Sequence, residues 1–181
     1  YVAIEIEHRV YAEPRPLSLW IIKIDAKAPL LEFELTLPDP STGADGKSYE
    51  TKSQTTLDFA KATGVQLAFN TSAFGPLRSK PGEPMDVNGL AAVRGKVYSQ
   101  PAKNYGAIFI ADDNRVTLKE PAGDNHGVWT AIPGFRMLLD DRKIAVEQAA
   151  SDSSFGGLNP RTAIGVDRDG AALWIVVADG R

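Results

Sequence analysis

Two residues near the end of the chain carry groups suited to chemistry on an anion: Arg161, directly after Pro160, and Asp179, directly before Gly180. A guanidinium offers five donors in a planar fork that matches the oxygens of a phosphate or a carboxylate. A carboxylate can activate water or stabilise a developing positive charge. On spacing alone, a surface arginine at a strand entrance and a turn-capping aspartate explain these residues as well, and both explanations stay open.

The segments beside these residues predict a β-hairpin that brings them together. Two apolar runs, residues 162–166 and 173–177, flank the sequence Asp-Arg-Asp-Gly, and Asp-Gly between apolar runs is a strong hairpin signal. With the turn at one end, Arg161 and Asp179 are expected at the other end, close in space. The second run does not alternate with polar residues, which predicts a central strand that is covered on both faces.

The hairpin sequence also resembles a known family. Residues 159–167 read Asn-Pro-Arg-Thr-Ala-Ile-Gly-Val-Asp and residues 176–181 read Val-Val-Ala-Asp-Gly-Arg, which is similar to a signature of the phosphodiester glycosidases, with Ala178 as an added residue. Upstream segments follow in family order at residues 21–25, 54–60, 68–74 and 87–97. The resemblance implies cleavage of a sugar-1-phosphodiester into a free sugar and a phosphomonoester. It implies Arg161 and Asp179 as catalytic residues. No metal and no cofactor are expected from the residues of the chain.

The same resemblance implies a set of substrate-binding residues. They are Asn70, Phe74, Asp86, Asn88, Asn159, Thr162 and Arg181. The element from Asn70 to Phe74 departs from the family's Asn-Gly-Gly-Phe-Phe pattern, because Thr71, Ser72 and Ala73 stand between its ends. An asparagine at a strand end can bind sugar hydroxyls or form an Asx turn, and Asp86 and Asn88 can serve a pocket or shape a turn.

The composition limits the classes of partner. A chain of 181 residues with 43% hydrophobic content suits one domain over residues 1–181. A net charge of -3 without a basic stripe argues against nucleic acid, and no apolar run reaches the ~18 residues of a membrane span. The absence of cysteine excludes thiolate zinc sites, and His8 and His126 lie far apart in sequence. Asp112-Asp113-Asn114 is expected to be a hairpin turn, with calcium as the open alternative.

Strand patterns outnumber helix patterns along the chain. Strands are predicted for residues 1–10, 17–24, 31–37, 65–69, 90–97, 107–111, 115–119 and 136–146, the last turning at Asp140-Asp141. Thr55 as a hydroxyl N-cap and Gly64 as a C-terminal stop bracket one short helix. Loops are expected at residues 38–48 and 71–84. The fold class is therefore α+β, a mixed, strand-rich sheet with few helices packed against it.

The resemblance also bears on context. Family members carry a glycine-rich segment after the Asp-Gly-Arg element, and this chain ends at Arg181, so its C-terminal part is expected to be missing or supplied by a second chain. A first residue other than Met and the family together imply a secreted or periplasmic bacterial protein acting on a carbohydrate phosphodiester, such as an exopolysaccharide. The alternative is a non-catalytic cell-envelope or polysaccharide-binding module of the same fold.

Overall fold

The structure is a computed structural model that describes residues 2–77, 80–121, 123, 125, 127–141, 143–144 and 159–179. Within these residues the chain forms short strands and one helix. The elements are β1 (Ile4–Tyr11), β2 (Leu17–Asp25), β3 (Ser41–Thr42), β4 (Ser48–Tyr49), β5 (Thr51–Lys52), α1 (Thr56–Thr63), β6 (Phe74–Gly75), β7 (Pro84–Val87), β8 (Ala91–Val93), β9 (Lys96–Ser99), β10 (Ala107–Ile110), β11 (Val116–Lys119), β12 (Thr130–Pro133), β13 (Leu139–Asp140), β14 (Lys143–Ile144), β15 (Arg161–Val166) and β16 (Ala172–Asp179).

The α+β, strand-rich class is confirmed, and in the described part of the chain the strand pairings with a defined register are antiparallel. The chain divides into two compact units. Unit 1 comprises Tyr1–Leu31, Asp113–Leu118 and Met137–Arg181, and unit 2 comprises Glu32–Asp112 and Lys119–Arg136. The single domain over residues 1–181 stays a prediction.

Unit 1 is built on a four-stranded sheet with the strand order β1-β2-β16-β15. The predicted central position of the last strand is confirmed, because β16 lies between β2 and β15. One face is buried where Ile22 and Ile24 of β2 meet Leu173 and Ile175 of β16. Burial of each such side chain contributes about 1.5 to 3 kcal/mol. The sequence predicts that the other face of β16 is covered as well. This prediction is wrong, since Trp174 of β16 is 41% exposed.

Unit 2 contains a three-stranded sheet in the order β5-β7-β6. A small β3-β4 hairpin, residues 41–49, overlaps the predicted loop at residues 38–48. Unit 2 also contains four adjacent strands of a further sheet, in the order β10-β12-β8-β9. Its buried cluster joins Leu90, Ala92 and Ala131, with Val97 and Phe109 packed against it. Small side chains at Ala92 and Ala131 fit this position, because these two residues are directly paired across β8 and β12.

The predicted helix is confirmed as α1. The hydroxyl of Thr55 accepts a hydrogen bond from the Asp58 backbone nitrogen at 3.0 Å, which satisfies a donor that the first turn leaves open. Gly64 ends the helix in the left-handed conformation at φ 73° and donates its N–H to the Ala60 carbonyl. Local capping chemistry therefore fixes both ends of this element.

The strand predicted at residues 31–37 is wrong, and the expected alternation in burial holds for Leu31, Phe33 and Leu35 but not for Leu37, which is exposed. Backbone carbonyls of this segment accept hydrogen bonds from side-chain hydroxyls instead of from the backbone of a neighbouring strand. Within unit 2, the Thr36 carbonyl accepts from the Tyr98 hydroxyl at 3.0 Å, and the Leu37 carbonyl accepts from Thr51 Oγ1 at 3.0 Å. Burial, with a contribution from the nearby Glu50 charge, raises the pKa of Tyr98 to about 12, so its hydroxyl keeps the proton that it donates.

Two further strand predictions are wrong, one because the segment has no pairing strand among the described residues and one because a turn interrupts it. Residues 65–69 form no strand, because nothing among the described residues pairs with them. Residues 90–97 form the hairpin of β8 and β9, because Arg94 and Gly95 both take positive φ values, 48° and 82°. Two consecutive left-handed residues make the tight turn that a two-residue hairpin needs. A turn at Asp141, φ 43°, joins β13 to β14 where the sequence predicts one.

Candidate active site

The hairpin of β15 and β16 forms as predicted, and its turn is fixed by the Asp-Gly chemistry of the sequence. Asp167 Oδ1 accepts from the Ala171 backbone nitrogen at 2.7 Å, and the Asp167 carbonyl accepts from the Gly170 nitrogen at 3.2 Å. Gly170 has φ +66°, a conformation that L residues adopt at a cost. The turn therefore sets the register of the whole strand pair.

This register brings Arg161 and Asp179 to the same end of the sheet. Arg161 is paired with Ala178, and Asp179 is the next residue of β16, paired with Ser18 of β2. Both residues are exposed. Because side chains alternate along a strand, Arg161 belongs to the face of Ala178 and Asp179 to the opposite face. A ligand that meets both groups must therefore lie across the end of the strand pair.

The face that carries Asp179 also carries an exposed pair of aromatic rings. One row of directly paired residues crosses all four strands of the sheet: Thr162, Val177, Trp20 and His8. His8 and Trp20 are stacked, with ring centroids 4.0 Å apart and planes 11° from parallel. His8 Nε2 lies 2.8 Å from Ser18 Oγ, and Ser18 is the residue paired with Asp179. The structure thus groups Asp179 and Thr162 with an aromatic pair, His8 and Trp20.

No local sequence motif marks this aromatic pair as part of a site. His8 and Trp20 lie in β1 and β2, more than 150 residues before Asp179 in the sequence. Their approach depends on the pairing of β2 with β16, which has no local sequence signal. The alternation of residues 17–24 can assign Trp20 to one face of its strand. To place that face beside Asp179, the pairing of β2 with β16 must also be known.

The opposite face of the sheet is charged. Arg9 forms an ion pair with Glu7 at 2.7 Å, and this hydrogen bond lowers the pKa of Glu7 and raises that of Arg9. Lys23 lies 5.7 Å above the ring of Trp174 and 3.2 Å from the carboxylate of Glu5. Arg161 belongs to this face, in a row with Ala178, Leu19 and Arg9. An anionic group would therefore meet a guanidinium on this face, beside charges of both signs.

Four of the predicted binding residues belong to unit 2 and are described there. Phe74 pairs with Val87 between β6 and β7, and the Asn88 nitrogen donates to the Ala73 carbonyl at 2.9 Å. Phe74, Asn88 and Asn70 are exposed. The β6-β7 pairing therefore places Phe74 and Asn88 near each other at one end of the short ladder.

Asp86, the fourth of these residues, takes part in a reciprocal pair of structural hydrogen bonds. Asp86 Oδ1 accepts from the Glu50 backbone nitrogen at 3.0 Å, and Glu50 Oε2 accepts from the Val87 nitrogen at 3.1 Å. Each carboxylate thereby satisfies a half-buried backbone donor of the other segment. This arrangement agrees with the alternative in which Asp86 shapes the local backbone.

A cleft of about 410 Å³ lies elsewhere in unit 2, between the approach to α1 and the segments around Thr36 and Gly82. Its charged groups include Lys52 and Asp39, which form an ion pair at 2.8 Å. None of the predicted site residues that the structure describes is among those lining this cleft. The cleft therefore adds no support to their assignment.

The remaining predictions concern the ends of the motif and possible ions. Asn159 is exposed just before β15, and Arg181 lies outside the described residues. Among the described residues, no three His, Asp or Glu side chains are grouped as metal ligands would be. At the predicted turn, Asp113 Oδ1 accepts from the Arg115 nitrogen at 3.0 Å. No helix in the described part is both long and apolar enough to cross a membrane.

Comparison with known proteins gives one family match. A family model described as phosphodiester glycosidase matches residues 63–181, which is about two thirds of the chain and includes both Arg161 and Asp179. The comparison with curated proteins gave no match.

Proposed function

Since the chain belongs to the phosphodiester glycosidase family, we propose that it hydrolyses a sugar-1-phosphodiester to a free sugar and a phosphomonoester. The observation that carries this proposal is the shared position of Arg161 and Asp179 at the open end of the β15-β16 hairpin. Both are exposed to solvent, so a substrate can reach them. The two groups have complementary chemistry, one for the phosphate and one for the sugar.

The chemistry follows from the leaving group. Water adds its oxygen to the anomeric carbon, the bond from that carbon to the bridging oxygen breaks, and the bridging oxygen leaves with the phosphate. A phosphomonoester has a second pKa of about 6, so this leaving group needs little protonation compared with an alkoxide. Stabilisation of the developing negative charge therefore matters more than a strong general acid.

Each residue takes the role that its charge allows. The guanidinium of Arg161 holds the phosphate by two parallel hydrogen bonds and stabilises the dianion as it forms. The carboxylate of Asp179 stabilises the oxocarbenium-like sugar or accepts the proton of the attacking water. Because strand alternation assigns these residues to opposite faces, the substrate lies across the sheet end, with its sugar on the Asp179 side and its phosphate on the Arg161 side.

A second candidate function is a non-catalytic module that binds polysaccharide. The observation that favours it is the exposed aromatic pair, His8 and Trp20, since stacked aromatic rings can hold a sugar without any chemical step. The structural use of the Asp86 carboxylate by the Glu50 backbone also takes one predicted polar contact away from a catalytic pocket. Turnover of a phosphodiester separates the two functions.

The test compares the activity of variants substituted at the open end of the hairpin with that of variants substituted in its turn. We expect Arg161→Lys and Asp179→Asn each to lower kcat/KM on a chromogenic sugar phosphodiester by about 100-fold or more. The matched controls are Arg168→Lys and Asp169→Asn, the same changes at exposed positions of the turn. They are expected to retain activity. Equal losses at both ends, or full activity of Arg161→Lys, would contradict the assigned roles, and complete inertness of the unaltered protein would favour the binding module.

A further inference from the structure

The cleft in unit 2 has the size of a ligand site and is separate from the proposed catalytic pair. Its volume is about 410 Å³, and sites for small ligands typically measure about 300 to 1,000 Å³. Residues from three segments line it, within the ranges 36–39, 51–58 and 81–82. All three segments belong to unit 2, so the cleft lies within one compact unit.

Hydrogen bonds hold the three segments of the cleft together. The Thr51 hydroxyl, which is buried, donates to the Leu37 carbonyl at 3.0 Å. The Gly82 backbone N–H donates to the Ser53 carbonyl at 2.7 Å. A site whose parts are already fixed loses little conformational entropy when a ligand binds. The cleft is therefore preorganised.

The side chains of the lining can both donate and accept hydrogen bonds. Lys52, Asp39, Gln54 and Asp58 are exposed to solvent. The Gln54 amide donates to Thr36 Oγ1 at 3.1 Å, which uses one of its two hydrogens. Lys52 Nζ lies 2.8 Å from Asp39 Oδ2, and an ammonium has further hydrogens to donate. These groups therefore keep hydrogen-bonding capacity for a ligand.

We propose that this cleft is a binding site for a neutral saccharide, separate from the proposed catalytic pair and independent of any hydrolysis. A sugar hydroxyl donates and accepts hydrogen bonds, so it suits a lining in which donors and acceptors are mixed. Leu37, which is 58% exposed, and the exposed Pro81 add apolar surface for the C–H groups of a sugar ring. The cleft thus offers both kinds of contact that a saccharide makes.

The charges of the lining disfavour an anionic ligand. The cation of the cleft, Lys52, is already paired with the carboxylate of Asp39. Asp58 adds a second carboxylate to the lining. A phosphate or a uronic acid would therefore meet an excess of negative charge, which weakens its binding. The cleft selects neutral saccharides over anionic ones.

Titration with trisaccharides tests this site without any turnover. The probes are two neutral trisaccharides, of glucose and of N-acetylglucosamine, and one anionic trisaccharide, of galacturonic acid. Backbone amide shifts in the protein NMR spectrum give the Kd and locate the binding. We expect at least one neutral trisaccharide to bind and to shift the amides of Ser53 and Gly82. The anionic trisaccharide is expected to bind at least about threefold more weakly.

Two variants test the role of the lining. Gln54→Ala removes an amide of the cleft and is expected to weaken binding of the neutral trisaccharide about three- to tenfold. Its matched control is Gln66→Ala, because Gln66 is also exposed and makes one side-chain bond, to the Gly64 carbonyl at 3.2 Å, but does not line the cleft. This control is expected to leave the Kd unchanged. Asp39→Asn removes a negative charge and should narrow the preference for neutral over anionic trisaccharides about two- to fivefold, a change that a purely structural role would not produce.

Four results would overturn the inference: equal effects of Gln54→Ala and Gln66→Ala, tighter binding of the anionic trisaccharide, amide shifts confined to residues 161–179, or no binding of either neutral trisaccharide. Circular dichroism of each variant confirms that its strands are intact. If Gln54→Ala does not fold, Gln54→Glu decides the matter, because its carboxylate can still accept from the Thr36 hydroxyl. The added charge should weaken binding of the anionic trisaccharide more than that of the neutral one.

The outcome separates this inference from the proposed function. Saccharide binding that depends on Gln54, without hydrolysis of any sugar phosphodiester, retains the cleft as a binding site and rejects the enzyme. Hydrolysis that depends on Asp179, without binding of a neutral trisaccharide at the cleft, retains the enzyme and rejects the binding site.

Discussion

Replacement of Gly170 by alanine tests the turn that places both proposed catalytic residues. Gly170 has φ +66°, and an added Cβ would meet the backbone carbonyl oxygen of Val116 too closely for both to stay in place. The left-handed backbone costs an alanine about 1 to 2 kcal/mol. The displaced backbone would also lose the hydrogen bond from the Val116 nitrogen to the Gly170 carbonyl, 3.1 Å long, which adds about 1 kcal/mol. We therefore expect Gly170→Ala to lower the free energy of unfolding by about 2 to 3 kcal/mol.

Urea unfolding followed by circular dichroism measures this loss. Gly46→Ala is the matched control, because Gly46 also has a left-handed φ of +77° but nothing lies within 4 Å of an added Cβ. It is expected to cost only the backbone contribution of about 1 to 2 kcal/mol. If Gly170→Ala destabilises the protein no more than Gly46→Ala does, the close approach of Gly170 to Val116 is not what holds the turn.

Three smaller perturbations test other local interactions. The Tyr49 hydroxyl donates a hydrogen bond to the Asp45 carboxylate at 2.6 Å and lowers the pKa of Asp45 below the ordinary 3.8. This bond therefore stabilises the fold above pH 3.8, and its contribution is lost as the pH falls through the lowered pKa. In urea unfolding, the stability difference between Tyr49→Phe and the unaltered protein should shrink on acidification. Asp86→Ala should lower stability by about 1 to 2 kcal/mol by leaving the Glu50 nitrogen without its acceptor, whereas lost activity at unchanged stability would mean a ligand role. Thr55→Ala should lower the free energy of unfolding by about 1 kcal/mol through loss of the helix cap, and an unchanged urea midpoint would refute the capping role.

The features predicted correctly from the sequence are those with local chemistry. The hairpin of residues 161–179 follows from an Asp-Gly turn between two apolar runs, and the ends of α1 follow from a threonine cap and a glycine stop. In both cases the residues that determine the structure are within a few positions of it. The segment at residues 31–37 shows the limit, because its burial alternates only as far as Leu35 and the carbonyls of Thr36 and Leu37 accept hydrogen bonds from distant hydroxyls.

The candidate site shows the same division between local and distant information. The approach of Arg161 and Asp179 follows from hairpin geometry, but their placement on opposite faces depends on a pairing offset of one residue, with Arg161 opposite Ala178. The aromatic pair depends on the antiparallel pairing of β2 with β16, which no turn between them specifies. A one-residue change of register would move Trp20 to the other face, so the pattern of the strand alone could not determine its role.

Hydrolysis in water labelled with a heavy oxygen isotope is the most direct test of attack at the anomeric carbon. The unaltered protein is expected to cleave a sugar-1-phosphodiester at the bond between the anomeric carbon and the bridging oxygen. The released phosphomonoester then carries no label, as read by its phosphorus NMR shift. Label in the phosphomonoester would mean attack at phosphorus rather than at the sugar, and the assignment of Asp179 to the sugar and Arg161 to the leaving phosphate would be wrong.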